Sequence, residues 1–132
     1  LDPMARDEVL DILRDFMKTE DHAILLSTHI TNDLEKIADH VVCIDDGRTV
    51  FSCSTDEICD IAGIARCRPA EVEAIAGAGL FEQGSLRVMR DAYSTSVLVP
   101  DRAVLRRRFP DVACERASIE EYMAFMLKGE SR

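Results

Sequence analysis

Apolar positions in this chain recur at helical spacing in some stretches and in short unbroken runs in others. From Pro3 to about Lys18, Ala5, Val9, Ile12, Leu13, Phe16 and Met17 return every three or four residues, which predicts one helix with one buried stripe. Asp2 and Pro3 suit its cap and first turn. Ala23 to Ser27 is a continuous apolar run, predicting a strand covered on both faces and followed directly by Thr28 and His29. Asn32 to Asp39 is predicted helical through Leu34, Ile37 and Ala38, with Asn32 and Glu35 imitating a capping box. Val41 to Ile44 and Arg48 to Ser52 read as strands joined by the turn residues Asp45-Asp46-Gly47. Ser54 and Glu57 then cap a short helix reaching about Ala62.

Beyond Gly63 the rhythm changes. Ile64 to Arg68 reads as a strand, and Pro69 to Ala78 as a helix buried through Val72, Ile75 and Ala76. Ser85 to Asp91 and Ser96 to Val99 read as two strands, Asp101 to Arg108 as a helix, and Val112 to Arg116 as a strand. That order, β-α-β-β-α-β, is the split pattern of a ferredoxin-like sandwich. A last helix opens on the capping box of Ser118 and Glu121, with Ile119, Tyr122, Met123, Met126 and Leu127 on one face. Two parts are therefore expected, 1–62 and 63–132.

Composition narrows the classes. The 132 residues are 47% hydrophobic, enough for one modest core or two small ones. A net charge of -9 argues against nucleic acid as a partner, because a phosphate backbone must be met by Lys and Arg. The charge is uneven: residues 1–54 carry five Lys and Arg against twelve Asp and Glu, and residues 55–132 carry eleven against thirteen. No apolar run approaches the roughly 20 residues of a membrane span and no signal-like segment is present, so a cytoplasmic location is expected. The five cysteines (Cys43, Cys53, Cys59, Cys67, Cys114) form no CxxC pair, and core packing is expected of them rather than metal binding.

Two stretches imitate nucleotide chemistry. Val41 to Asp46, VVCIDD, looks like a strand carrying magnesium-binding carboxylates, yet such a site needs a phosphate loop upstream. The nearest candidate, GLFEQGSL from Gly79 to Leu86, lies downstream and has Ser85 where the lysine must be. Asp45-Asp46-Gly47 is therefore read as turn chemistry. The Arg106-Arg107-Arg108 run suits a helix end and water better than an acidic partner.

His29 is the stronger candidate. A histidine just beyond a buried strand lies where open α/β sheets bind ligands, and its imidazole can donate to a phosphate oxygen or a water. Leu1-Asp2-Pro3, a helix, ILLSTH, a second helix and then HVVCIDDGR follow in an order that resembles the end of the nucleotide-binding subunit of an ATP-binding-cassette (ABC) transporter. The likeness extends over residues 1–62. More loosely, Ser118 to Glu130 resembles the closing helix of the C-terminal extension in bacterial drug and antibiotic exporter ATPases.

That resemblance implies a fold, namely an α/β remnant of an ABC ATPase core, a truncated P-loop NTPase fold, followed by a small α+β ferredoxin-like domain. It implies that Leu1-Asp2-Pro3 belongs to the D-loop, with Asp2 at a dimer interface communicating between two nucleotide sites. His29 becomes the H-loop residue that contacts the γ-phosphate and the attacking water. MgATP is the implied cofactor of a full-length parent, bound between two copies of the subunit that drive a membrane permease from the inner face of the membrane. Walker A, the Q-loop, the LSGGQ signature and Walker B all precede the D-loop in that family. The 132 residues are thus expected to be a C-terminal fragment, catalytically inactive alone and prone to self-association through its uncovered apolar stripe. A stand-alone small-ligand-binding or dimerisation module is the competing expectation.

Overall fold

A computed structural model describes residues 2–132, in which two antiparallel sheets share one C-terminal helix. The fold is mixed α/β. Helix α1 spans Pro3–Phe16: the Asp2 carboxylate accepts from the Ala5 N–H at 2.9 Å, and Pro3 starts the helix where no N–H is needed. Its buried residue is Leu10, while Val9, Ile12, Phe16 and Met17 are exposed, so the expected stripe is largely uncovered. The reason is geometric. α1 packs on α2 (Thr31–Ile37), and a seven-residue helix covers only one line along a fourteen-residue one.

Ala23 to Ser27 forms no strand, which corrects the expectation from its apolar run. A strand buried on both faces needs hydrogen-bonded neighbours, and among the described residues none pairs with it. Leu25 is accordingly 101% exposed. The Asn32/Glu35 capping box is also absent: Ile30 occupies the cap of α2 with no side-chain hydrogen bond, and the Glu35 carboxylate is engaged elsewhere.

Strands β1 (His40–Asp45) and β2 (Arg48–Ser54) form a hairpin whose register runs from His40 opposite Ser54 to Asp45 opposite Arg48. Asp46 (φ 49°) and Gly47 (φ 73°) both lie in the left-handed region, as the tight two-residue hairpin turn requires. Val41, Cys43 and Phe51 point inward against Ile58, which lies on a π-helical turn, Glu57–Ile61. The Ser54 hydroxyl accepts from the Glu57 N–H at 3.1 Å and starts that turn.

The larger sheet comprises β3 (Gly63–Cys67), β4 (Arg87–Arg90), β5 (Thr95–Val99), β6 (Ala113–Arg116) and β7 (Glu130–Ser131), in the order β6-β3-β5-β4-β7. Every pairing is antiparallel. Helices α3 (Pro69–Gly77) and α4 (Arg102–Arg108) contribute Val72, Ile75 and Leu105 to a core built on Ala65, Val88, Val97, Val99 and Cys114. Ala76, expected inside, is exposed. Gly63 begins β3 where a Cβ would meet Cys114 Sγ at 2.7 Å and Arg102 Cβ at 2.9 Å, so only glycine fits without displacement.

Helix α5 (Ile119–Lys128) joins the two sheets. The Ser118 hydroxyl accepts from the Glu121 N–H, and the Glu121 carboxylate accepts from the Ser118 N–H, both at 3.1 Å, completing the expected capping box. Ile119 packs with the hairpin core, whereas Phe125 packs with Ile64 and Leu98 on the larger sheet. Tyr122 and Met126 touch both clusters. Leu127, expected on the buried face, is exposed, and Phe125 takes its place because α5 has two covered sides rather than one.

Candidate functional site

His29 sits in a bend immediately before α2 and is exposed, rather than closing a buried strand. The bend is held by the Ile30 N–H, which donates to Thr28 Oγ1 at 3.0 Å. Asp2 is spent as the N-cap of α1. The two candidate residues share no hydrogen bond among the described residues, but their elements are tied together. The Arg6 guanidinium, one turn beyond Asp2, reaches the Asp33 carboxylate at 2.8 Å in the first turn of α2. Lys36 pairs with Asp7 at 3.0 Å, and Arg14 donates to the Lys36 carbonyl at 3.2 Å. An acid in the first turn of α2 also complements the positive end of its dipole.

The far ends of these elements are closed as well. Phe16 and His22 stack with ring centroids 4.0 Å apart, and His22 Nδ1 hydrogen-bonds the Phe16 carbonyl at 2.8 Å. At the end of α2 the Ala38 carbonyl accepts from the Thr55 hydroxyl at 2.6 Å. Arg102 donates to the carbonyls of Asp60 and Ala62, and Arg116 to the Cys59 carbonyl and the Asp60 carboxylate, so the end of the π-helical turn is held by two arginines from the larger sheet's unit. None of these long-range pairs has a local sequence signal.

The two nucleotide-like stretches have other roles. Asp45 and Asp46 form the hairpin turn, and the 79–86 segment runs through turns into β4 instead of opening a helix. A phosphate cradle needs successive N–H groups at a helix start, which this segment does not supply. Among the described residues no three His, Cys, Asp or Glu side chains are grouped to hold a metal ion. Among the described residues neither stretch opens a helix as a phosphate cradle would, and His29 presents an exposed imidazole. The five thiols are free, and burial is the first cause pushing each above its ordinary pKa. Arg106 donates to the Cys114 carbonyl at 2.6 Å, and Arg108 lies over the Phe109 ring, so that part of the arginine run is structural.

Comparison with known proteins narrows the family. Over 58 residues, 44% of this chain, it is 40% identical to a putative ABC transporter ATP-binding protein of Pyrococcus abyssi, spanning 21% of that protein. This region is related to ABC transporter ATP-binding proteins. Over the same length it is 38% identical to an uncharacterized ABC transporter ATP-binding protein of Bacillus subtilis, spanning 19% of it. It is also 31% identical to an energy-coupling factor transporter ATP-binding protein of Ligilactobacillus salivarius, spanning 20% of it. The matches thus span about a fifth of the length of these curated relatives. No family profile and no solved structure matches the chain. Among the described residues no helix is long and apolar enough to cross a membrane.

Proposed function

We propose that this chain is the part of an ABC transporter ATP-binding subunit that runs from the D-loop onward, residues 1–62 closing a P-loop NTPase core and residues 63–132 forming a ferredoxin-like accessory unit. The 58-residue likeness at 40% identity carries this reading. The interleaved order β6-β3-β5-β4, in which each βαβ pair leaves room for a strand of the other, supports the ferredoxin-like assignment. In the complete subunit MgATP binds between two copies at the inner face of the membrane, and hydrolysis drives a permease. The imidazole of His29 is the group this chain contributes toward the terminal phosphate and its attacking water. Asp2, fixed at the start of α1, lies at the interface between copies. Phosphoryl transfer depends on positioning and charge stabilisation, so one histidine and one aspartate without a phosphate cradle leave the 132-residue chain inactive.

The test is made in the complete subunit. His29→Ala lowers kcat by about a hundredfold or more while equilibrium binding of MgATP is retained, because ground-state affinity is shared among many donors whereas the histidine acts on the transferring group. An unchanged kcat overturns the role of His29. Calorimetric titration of the 132-residue chain with MgATP should show no micromolar binding.

A further inference from the structure

Helix α5 leaves four N–H groups at its start without partners inside the helix, like any α-helix. Its own capping box satisfies those of Ser118 and Glu121. The Ile119 N–H is satisfied from 84 residues away, donating to Glu35 Oε1 at 2.6 Å. This is a charge-assisted bond at the positive end of a ten-residue helix, partly buried, and Glu35 belongs to α2. Around it Leu34 and Ala38 of α2 pack in one cluster with Ile119, Tyr122, Met123 and Met126 of α5.

The opposite side of α2 is held differently. Of its ion pairs to α1, Lys36 with Asp7 is exposed and contributes little, whereas Arg6 with Asp33 is partly buried and holds the first turn. The start of α2 has no side-chain cap of its own, so apart from the Thr28 hydroxyl and the Arg6–Asp33 pair the bend carrying His29 follows the body of the helix. The Glu35 bond and the apolar contacts beside it are the anchors that tie that body to α5.

We propose that Glu35 is a positioning residue, fastening α2 to the N-terminus of α5 so that the carboxyl-terminal unit holds the His29 loop in place. The catalytic consequence rests on the function proposed for His29, whereas the mechanical coupling stands on the geometry alone. The carboxyl-terminal unit then acts on the nucleotide site from a distance: whatever shifts α5 shifts α2, and His29 with it.

Amide hydrogen exchange on this chain tests the coupling. Glu35→Ala should speed exchange about tenfold at Ile119 and equally at the α2 amides from Leu34 to Ala38, with Glu35→Gln intermediate because it keeps an acceptor without the charge. Ser118→Ala is the control, since it loosens the same helix end while leaving the link to α2 intact, and it should speed exchange in α5 only. Faster exchange at Ile119 with α2 unchanged overturns the proposal, as does Ser118→Ala loosening α2 as much as Glu35→Ala does. In the complete subunit Glu35→Ala should lower kcat about tenfold with KM for ATP unchanged, and Glu35→Gln should recover part of the loss. If His29→Ala lowers kcat and Glu35→Ala does not, the positioning role fails while the function proposed for His29 stands. If His29→Ala has no effect, both fall.

Discussion

Phe51 and Tyr122 meet edge to face, ring centroids 4.9 Å apart at 81°, and this contact joins the hairpin to α5. Cys53 of the hairpin packs against the same cluster as Tyr122. One side chain therefore supplies an aromatic pair and cover for both hydrophobic clusters beside α5. Edge-to-face pairs contribute about 1 kcal/mol beyond the area they bury, and deleting a large buried ring leaves a cavity. Tyr122→Ala should destabilise the chain by about 3 kcal/mol, read from urea midpoints, whereas Tyr122→Phe should cost about 1 kcal/mol or less.

The same tyrosine makes stability depend on alkaline pH. Burial, with Cys53 and Glu57 adding negative charge, pushes its pKa from 10.0 to about 12. The unfolded chain releases this proton near the ordinary value and the folded chain two units later. Its contribution to stability is thus complete below pH about 10, falls as pH rises, and is lost once pH passes about 12. Urea unfolding across that window should show a decline that Tyr122→Phe makes shallower. Equal slopes in the two proteins would mean that the phenol does not sense its surroundings.

What could be read in the sequence was what neighbouring residues decide among themselves. Asp46-Gly47 supplies its own left-handed turn, Asp2-Pro3 its own helix start, and Ser118 with Glu121 its own capping box. Ala23 to Ser27 misled because a continuous apolar run says that a segment suits burial, not that a partner strand lies beside it. Glu35 misled for the opposite reason: the local pattern offered it a partner at Asn32, and a helix end 84 residues away took it instead. The candidate site divides the same way. The order of motifs singled out Asp2 and His29, but the Arg6–Asp33 link that ties their helices joins residues whose types carry no mark of each other.

Gly63 carries a steric prediction. It sits at the junction of the π-helical turn and β3, and the groups nearest its missing side chain, Cys114 Sγ and Arg102 Cβ, belong to buried or anchored residues. Neither is a free side-chain end that can swing away. Gly63→Ala should therefore cost about 1 to 3 kcal/mol by overpacking. Trimming the sulfur in Gly63→Ala/Cys114→Ala should recover part of that loss, a non-additivity expected only if the two groups touch. Chemical denaturation of the two single variants and the double variant measures it.

The thiols provide a chemical test of the core. Only the thiolate attacks alkylating reagents, and burial raises the pKa of all five cysteines, so each combines low access with a small thiolate fraction at neutral pH. Access differs among them. Cys43 and Cys114 are buried within the two main clusters, while Cys53, Cys59 and Cys67 are half-covered. Iodoacetamide at pH 7 should thus label Cys53, Cys59 and Cys67 slowly, and should reach Cys43 and Cys114 only at the rate of opening of their clusters. Because Cys43 lies in the hairpin cluster and Cys114 in the larger sheet, their labelling rates report the stability of the two cores separately. Equal rates mean that both cores open in one cooperative step, as expected if α5 welds them together. A faster Cys43 means that the hairpin and α2 open first while the β3–β6 sheet stays closed.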